Sequence, residues 1–262
     1  MATRKRKAEE AEPRFAFDGA ALRKAWPRLH GGDLEPWPAG AGATALQSAW
    51  RAFHEGRFTA AIEAGAALGP PGAAVANKAT GVQATYLARD DAEAAGMLRA
   101  AIERGERAVA ALPERANSHY FLAFVLGRYG QRISVVKALA DGLGGRIRQA
   151  LERTLALEPR HAEAQVALGV FHAEVVDKLG AIAARIGYGA SRDAALTAFE
   201  RARQLAPHSP IVHLEYARAL PRLEARPQHR ARELLEAAAA LTPADAMEAL
   251  DVGAARAALR GG

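Results

Sequence analysis

Few residues of this 262-residue chain stand at spacings that chemistry requires. Gly142-Leu-Gly-Gly145-Arg146 precedes a helical pattern, and backbone amides beside an arginine can hold a phosphate. The stretch lacks the Gly-x-x-x-x-Gly-Lys-Ser/Thr arrangement and follows no strand, so it reads as a hinge. His172 and Glu174 stand two residues apart and therefore on different helix faces. A metal at that place needs ligands from other helices, His119 among them. Glu9-Glu10 and Asp90-Asp91 read as tail and helix cap rather than as an acid/base pair. No His-Glu-x-x-His, Gly-x-Ser-x-Gly or dinucleotide-binding pattern occurs. The expectation is a protein without catalytic residues, metal or cofactor.

Composition bounds the rest. Hydrophobic residues make up 50% of the chain, enough for a substantial core, while aromatics are only 6% and alanine abounds. Small side chains let helices approach closely, and no long apolar/polar alternation argues for a sheet. Cysteine is absent, which removes disulfides, thiolate metal sites and cysteine nucleophiles together. Four charges of the net +6 come from Arg4, Lys5, Arg6 and Lys7, so the body of the chain is nearly balanced. That is a poor footprint for specific nucleic-acid binding, and residues 1–14 read as a disordered basic tail. Glu9, Glu10 and Glu12 follow where a signal peptide needs an apolar run, and no stretch approaches a membrane span. A cytoplasmic location is expected.

Residues 15–262 read as one helical domain. Phe15–Leu29 is a candidate helix, followed by a break through Gly31-Gly32 and Pro36-Trp37-Pro38, with Trp26 and Trp37 tucking back onto the first repeat. Helix pairs then fall at about 43–69, 73–113, 114–159, 160–207 and 209–242. Ser209-Pro210 and Thr242-Pro243 each offer an N-cap hydroxyl with proline in the first turn. Asp245 completes a capping box with Thr242, and a final helix over 244–259 covers the last repeat. Successive prolines at 113, 159, 207 and 243 stand 46, 48 and 36 residues apart.

Leu168, Gly169, Ala195, Phe199, Ala202 and Pro207 resemble a tetratricopeptide (TPR) helix pair, whose unit is about 34 residues. The resemblance implies an all-α, right-handed solenoid of about five helix pairs. The two longer proline spacings place helical inserts within the third and fourth repeats, at Gln131–Leu143 and Asp177–Ala190. Ile133 and Val136 in the first, and Leu179, Ile182 and Ile186 in the second, fall at helical spacing. These faces are expected to pack on one another, with a hydrophobic groove or a membrane-resting surface as the alternative.

Ser118–Ala123, Ile147–Pro159 and Ala162–Pro207 together resemble the TPR proteins of the regulator of microtubule dynamics family. The resemblance implies an adaptor whose concave face binds a protein segment; a microtubule role is not carried with it. First helices of the pairs would supply the groove: Asn77, Lys78, Gln83 and Tyr86, then Asn117, His119, Tyr120, Arg128 and Tyr129. Gln165, His172, Glu174 and Lys178 follow, and Arg218. Asn77, Tyr86, His119, Tyr129, Gln165, Glu174 and Arg218 are the selected partner-binding candidates, since amides, arginine and tyrosine can grip a peptide backbone or carboxylate. The expected partner is a protein or peptide. Alternatives are peripheral association with a membrane or anionic surface through the tail and inserts, and a small-molecule-binding groove.

Overall fold

The computed structural model describes residues 15–261; the basic run and its tail lie outside the described residues. Among the described residues every regular element is a helix. Helix α1 (Gly19–Leu29) starts four residues later than the pattern at Phe15 suggested, because Asp18 caps it by accepting the Ala21 N–H at 2.7 Å. Five antiparallel pairs follow. They are α2 (Ala43–His54) with α3 (Phe58–Ala67), α4 (Ala73–Tyr86) with α5 (Asp91–Ala111), and α6 (Ala116–Gly130) with α8 (Leu143–Leu157). Then come α9 (Ala162–Leu179) with α11 (Arg192–Leu205), and α12 (Pro210–Leu223) with α13 (Gln228–Ala240). Short helices α7 (Val135–Ala140) and α10 (Ala181–Tyr188) interrupt the third and fourth pairs, and α14 (Ala246–Gly261) ends the array.

Each second helix packs both on its own partner and on the first helix of the next pair, which is solenoid stacking. Close approach comes from small residues. A Cβ on Gly169 would stand 2.8 Å from the Phe199 ring, and one on Gly81 would run into the ring of Phe124. Ala195, Phe199 and Ala202 are fully buried, as their spacing requires. Asp90 and Ser191 cap α5 and α11 by accepting the N–H groups of Glu93 and Ala194.

Three expectations need correction. Ser209 occupies the N-cap of α12, but its side chain makes no capping bond. Thr242 does not open the last helix: Asp245 accepts the Glu248 N–H at 2.8 Å, and Glu248 accepts that of Ala244 at 2.7 Å. The capping box therefore sits three residues later, and α14 begins at Ala246. Third, the two inserts do not bury their apolar faces against each other in the way the periodicity suggested. Gly180, at φ 77°, ends α9 and restarts the helical phase, so Leu179 and Ile182 no longer share a helix. Ile182 and Ile186 are 79% and 83% exposed, whereas Ala184 and Tyr188 turn inward. Ile133 is half-buried against the core of its own repeat, beside Leu98 and Leu126; the side chain of Val136 lies outside the described residues.

Candidate functional site

The first helices of the pairs line the inner side of the array, but the chain itself fills much of that side. Residues 30–37 cross it as an irregular segment. Its anchoring starts with aromatic packing: Trp26 lies 4.9 Å from Trp37 and 6.0 Å from Trp50, and its indole N–H donates to the Glu35 carbonyl at 2.7 Å. Trp26 thus tucks onto Trp50 of α2, and Trp37 packs on Trp26.

Polar side chains then tie the segment to three successive pairs. Lys78 of α4 donates to Asp33 at 2.5 Å and to Glu163 of α9 at 3.1 Å. Tyr120 of α6 donates to the other oxygen of Glu163 at 2.9 Å. Asn117 donates to the Asp33 carbonyl and to Glu35, which also pairs with Arg115. Backbone joins backbone where Glu163 N–H meets the Gly32 carbonyl at 3.0 Å. Burial would drive the Asp33 carboxyl up, but Lys78 and His30 outweigh it and hold it well below the carboxylate range. For Glu163 burial wins and its pKa rises.

Histidines complete the interior. His161 accepts the Ala164 N–H on Nδ1, so its proton sits on Nε2 and is donated to Asn117 Oδ1 at 2.9 Å. This is a neutral ring by geometry, and burial lowers its pKa to about 4. His30, likewise lowered to about 4 by burial, stands between Asp33 and His54. His54 in turn contacts Asp245 at 2.7 Å, just ahead of α14. That helix packs on α12 and α13 and also returns to α2, with Tyr86 of α4 donating to Asp251 at 2.5 Å. Arg28 of α1 grips Glu248 with two bonds, of 2.6 and 2.9 Å. The N-terminal segment and the C-terminal helix therefore close the inner side together.

What remains open is a pocket of about 170 Å³. Its walls come from α4, α6, α8, α9, α10, α12 and α14, and most of its side chains are apolar: Val82, Phe121, Phe124, Leu143, Ile147, Val166, Val170, Phe171, Val175, Ile211 and Met247. Lys78, Thr85, Tyr86, Tyr120, Arg128, Gln131, Glu163, Glu174, Lys178, Tyr188, Glu215 and Asp251 are its polar members. A charged vestibule adjoins it, sharing Arg128, Gln131, Glu174, Lys178 and Glu215 and adding Asp177, Arg218 and Arg222. Its ions are mutually engaged. Glu215 accepts from Arg128 and Arg218 at 3.1 and 3.2 Å, Gln131 donates to Glu174, and Arg222 stands 3.5 Å from Asp177.

The seven partner-binding candidates separate. Tyr86 and Glu174 line the pocket, and Arg218 lies in the vestibule. Asn77 is buried away from both, donating to the Ala101 carbonyl and accepting from Arg104. Tyr129, expected in the partner-binding groove, is buried with Leu98 and Leu126. His119 contacts the Pro113 carbonyl at 2.7 Å, and neither it nor Gln165 belongs to either wall. Of the insert residues, Leu179 reaches the pocket wall. The Gly142–Gly145 stretch does not cradle an anion: a Cβ on Gly144 would lie 2.5 Å from the Tyr188 ring, so the glycine admits α10 onto α8.

Sequence reasoning missed Asp33, Glu35, His30, His54, Glu163 and Asp251, and saw Asp245 only as a helix cap. A signal existed in Lys78 and Asp251, charges set among small and apolar residues (Ala-Asn-Lys-Ala and Ala-Leu-Asp-Val). Among the described residues no group of three or more metal-ligating side chains gathers, and no helix is long and apolar enough to cross a membrane.

The family described as Regulator of microtubule dynamics protein 1-3 matches residues 76–254. A solved TPR protein from the thermophile Thermus thermophilus superposes with a TM-score of 0.58 at 16% identity, covering 83% of this chain and 100% of that one. No curated protein sequence matches.

Proposed function

From the premise that the chain belongs to the regulator of microtubule dynamics protein 1-3 family and has a TPR fold, we propose that it is a non-catalytic binding module whose inner pocket takes the apolar body of an amphiphilic guest. TPR arrays are interaction scaffolds that bind through a concave surface. One observation carries the finer reading: residues 30–37 and α14 are bonded across the inner side of the array, leaving a mostly apolar pocket beside a charged vestibule. Pockets of that character bury a ligand's apolar surface and orient it with a few polar groups. Equilibrium titration with dodecanol, a neutral probe, tests this. Binding is expected, with at least a tenfold loss of affinity in Val170→Trp, which fills the pocket while helicity is retained. Absence of dodecanol binding, or equal binding by the variant, overturns the reading.

A second reading, a partner protein seated on α10, is supported by the exposed Ile182 and Ile186 on a helix whose Tyr188 lines the pocket. It keeps the scaffold role and moves the contact from the groove to its rim.

A further inference from the structure

Among the described residues, Asp251 is the one polar wall residue of this pocket with a buried oxygen that finds no partner. The residue belongs to the wall and is 1% exposed, and its Oδ1 accepts the Tyr86 hydroxyl, yet the buried Oδ2 has no hydrogen-bond donor. Buried carboxyls are ordinarily matched by a cation or several donors, because an unmatched one forfeits its hydration. The other buried acids of the interior obey that rule: Asp33 and Glu163 share Lys78, Glu35 has Arg115, and Glu215 has Arg128 and Arg218.

The surroundings of Asp251 decide what chemistry is missing. Facing it are the Tyr86 hydroxyl from α4, the Glu215 carboxylate from α12, Arg128 from α6, and Asp245 at the start of its own helix. Arg128 is already engaged by Glu215. The vicinity therefore holds more carboxyl than free cation, and an incoming anion meets repulsion from Glu215 and Asp245. An ammonium supplies both the absent donor and the absent countercharge. Phe121, Phe124, Val170, Phe171 and Val175 then offer an apolar wall to the chain that carries it.

Resting on the pocket reading above, we infer that the guest is a cationic amphiphile, a primary alkyl amine whose ammonium pairs with Asp251 beside Tyr86. A phosphate- or carboxylate-headed amphiphile does not fit this end of the pocket. Burial, with help from Glu215 and Asp245 and against the Tyr86 hydrogen bond, lifts the unliganded Asp251 carboxyl to about 8. Pairing with an ammonium then displaces its proton, so amine affinity rises about tenfold per pH unit from pH 6 toward 8 and levels above it.

The experiment compares dodecylamine, dodecanol and dodecanoate on the whole chain, with Asp251→Asn beside it. Asparagine keeps an acceptor for Tyr86 and removes only the charge. The amine is expected to bind the parent chain at least tenfold more tightly than the alcohol at pH 8. That advantage of amine over alcohol is expected to vanish in Asp251→Asn. The pH profile of amine binding to the parent chain is a second readout that needs no variant. Equal amine and alcohol affinity, tighter dodecanoate binding, or a flat amine profile overturns the amine assignment and leaves the pocket reading standing. Failure of dodecanol to bind overturns the pocket reading, and the amine assignment with it.

Discussion

At the scale of single residues, the interior owes its order to proton placement. His161 receives an N–H on one nitrogen and gives one from the other, so it is locked in one neutral tautomer at the head of α9. Its pKa is lowered by burial from 6.5 to about 4, so the folded state binds fewer protons than the unfolded one across that interval. The resulting stability is complete above pH 6.5 and is lost as pH falls toward 4, amounting to roughly 3 kcal/mol for this one group. His161→Asn retains a capping oxygen for Ala164 and removes the titration. Thermal melts between pH 7 and 4 are expected to show a shallower acid decline in the variant. A slope identical to that of the parent chain would show that the ring titrates normally.

At the scale of elements, the inserts differ in how they meet the array. Helix α10 is fastened by Tyr188, which fits against Gly144 and whose carbonyl accepts from Arg148 at 2.9 Å. Its other stripe, Ile182 and Ile186, faces outward. Replacing both by serine removes almost no buried apolar surface, so stability is expected to stay within about 0.5 kcal/mol in urea melts. A loss of several kcal/mol would restore mutual packing of the inserts. Helical spacing predicted both insert helices; it did not predict which stripe is buried, because Gly180 breaks the phase between Leu179 and Ile182.

At the scale of the molecule, one buried lysine holds three parts of the chain together. Lys78 joins the residue 30–37 segment, α4 and α9 through Asp33 and Glu163, with both pairs largely withdrawn from water. Such pairs add little net stability when complete, but removing one partner strands the others. Lys78→Met leaves Asp33 and Glu163 without their shared cation and is expected to cost about 3–5 kcal/mol, measured by denaturant unfolding. Lowering the pH protonates those acids, so the deficit is expected to shrink in acid. A deficit that stays constant with pH would assign the loss to packing alone.

The sequence by itself determined the helices and their order. Alanine-rich stripes at spacings of three and four, the Leu168-Gly169 and Ala195–Phe199–Ala202 contacts, and the proline period depend on local geometry that any solenoid reuses. Part of the candidate site was legible on the same basis, since Tyr86, Glu174 and Arg218 were assigned to the first helices of their pairs. Only the tertiary structure decided that the chain fills its own groove. The partners of Lys78 lie 45 and 85 residues away, and Tyr86 meets Asp251 across 165. No periodicity encodes such contacts. They arise because the stack brings α14 back to α2 and α4, turning an open concave face into a pocket whose last unsatisfied group is a carboxyl.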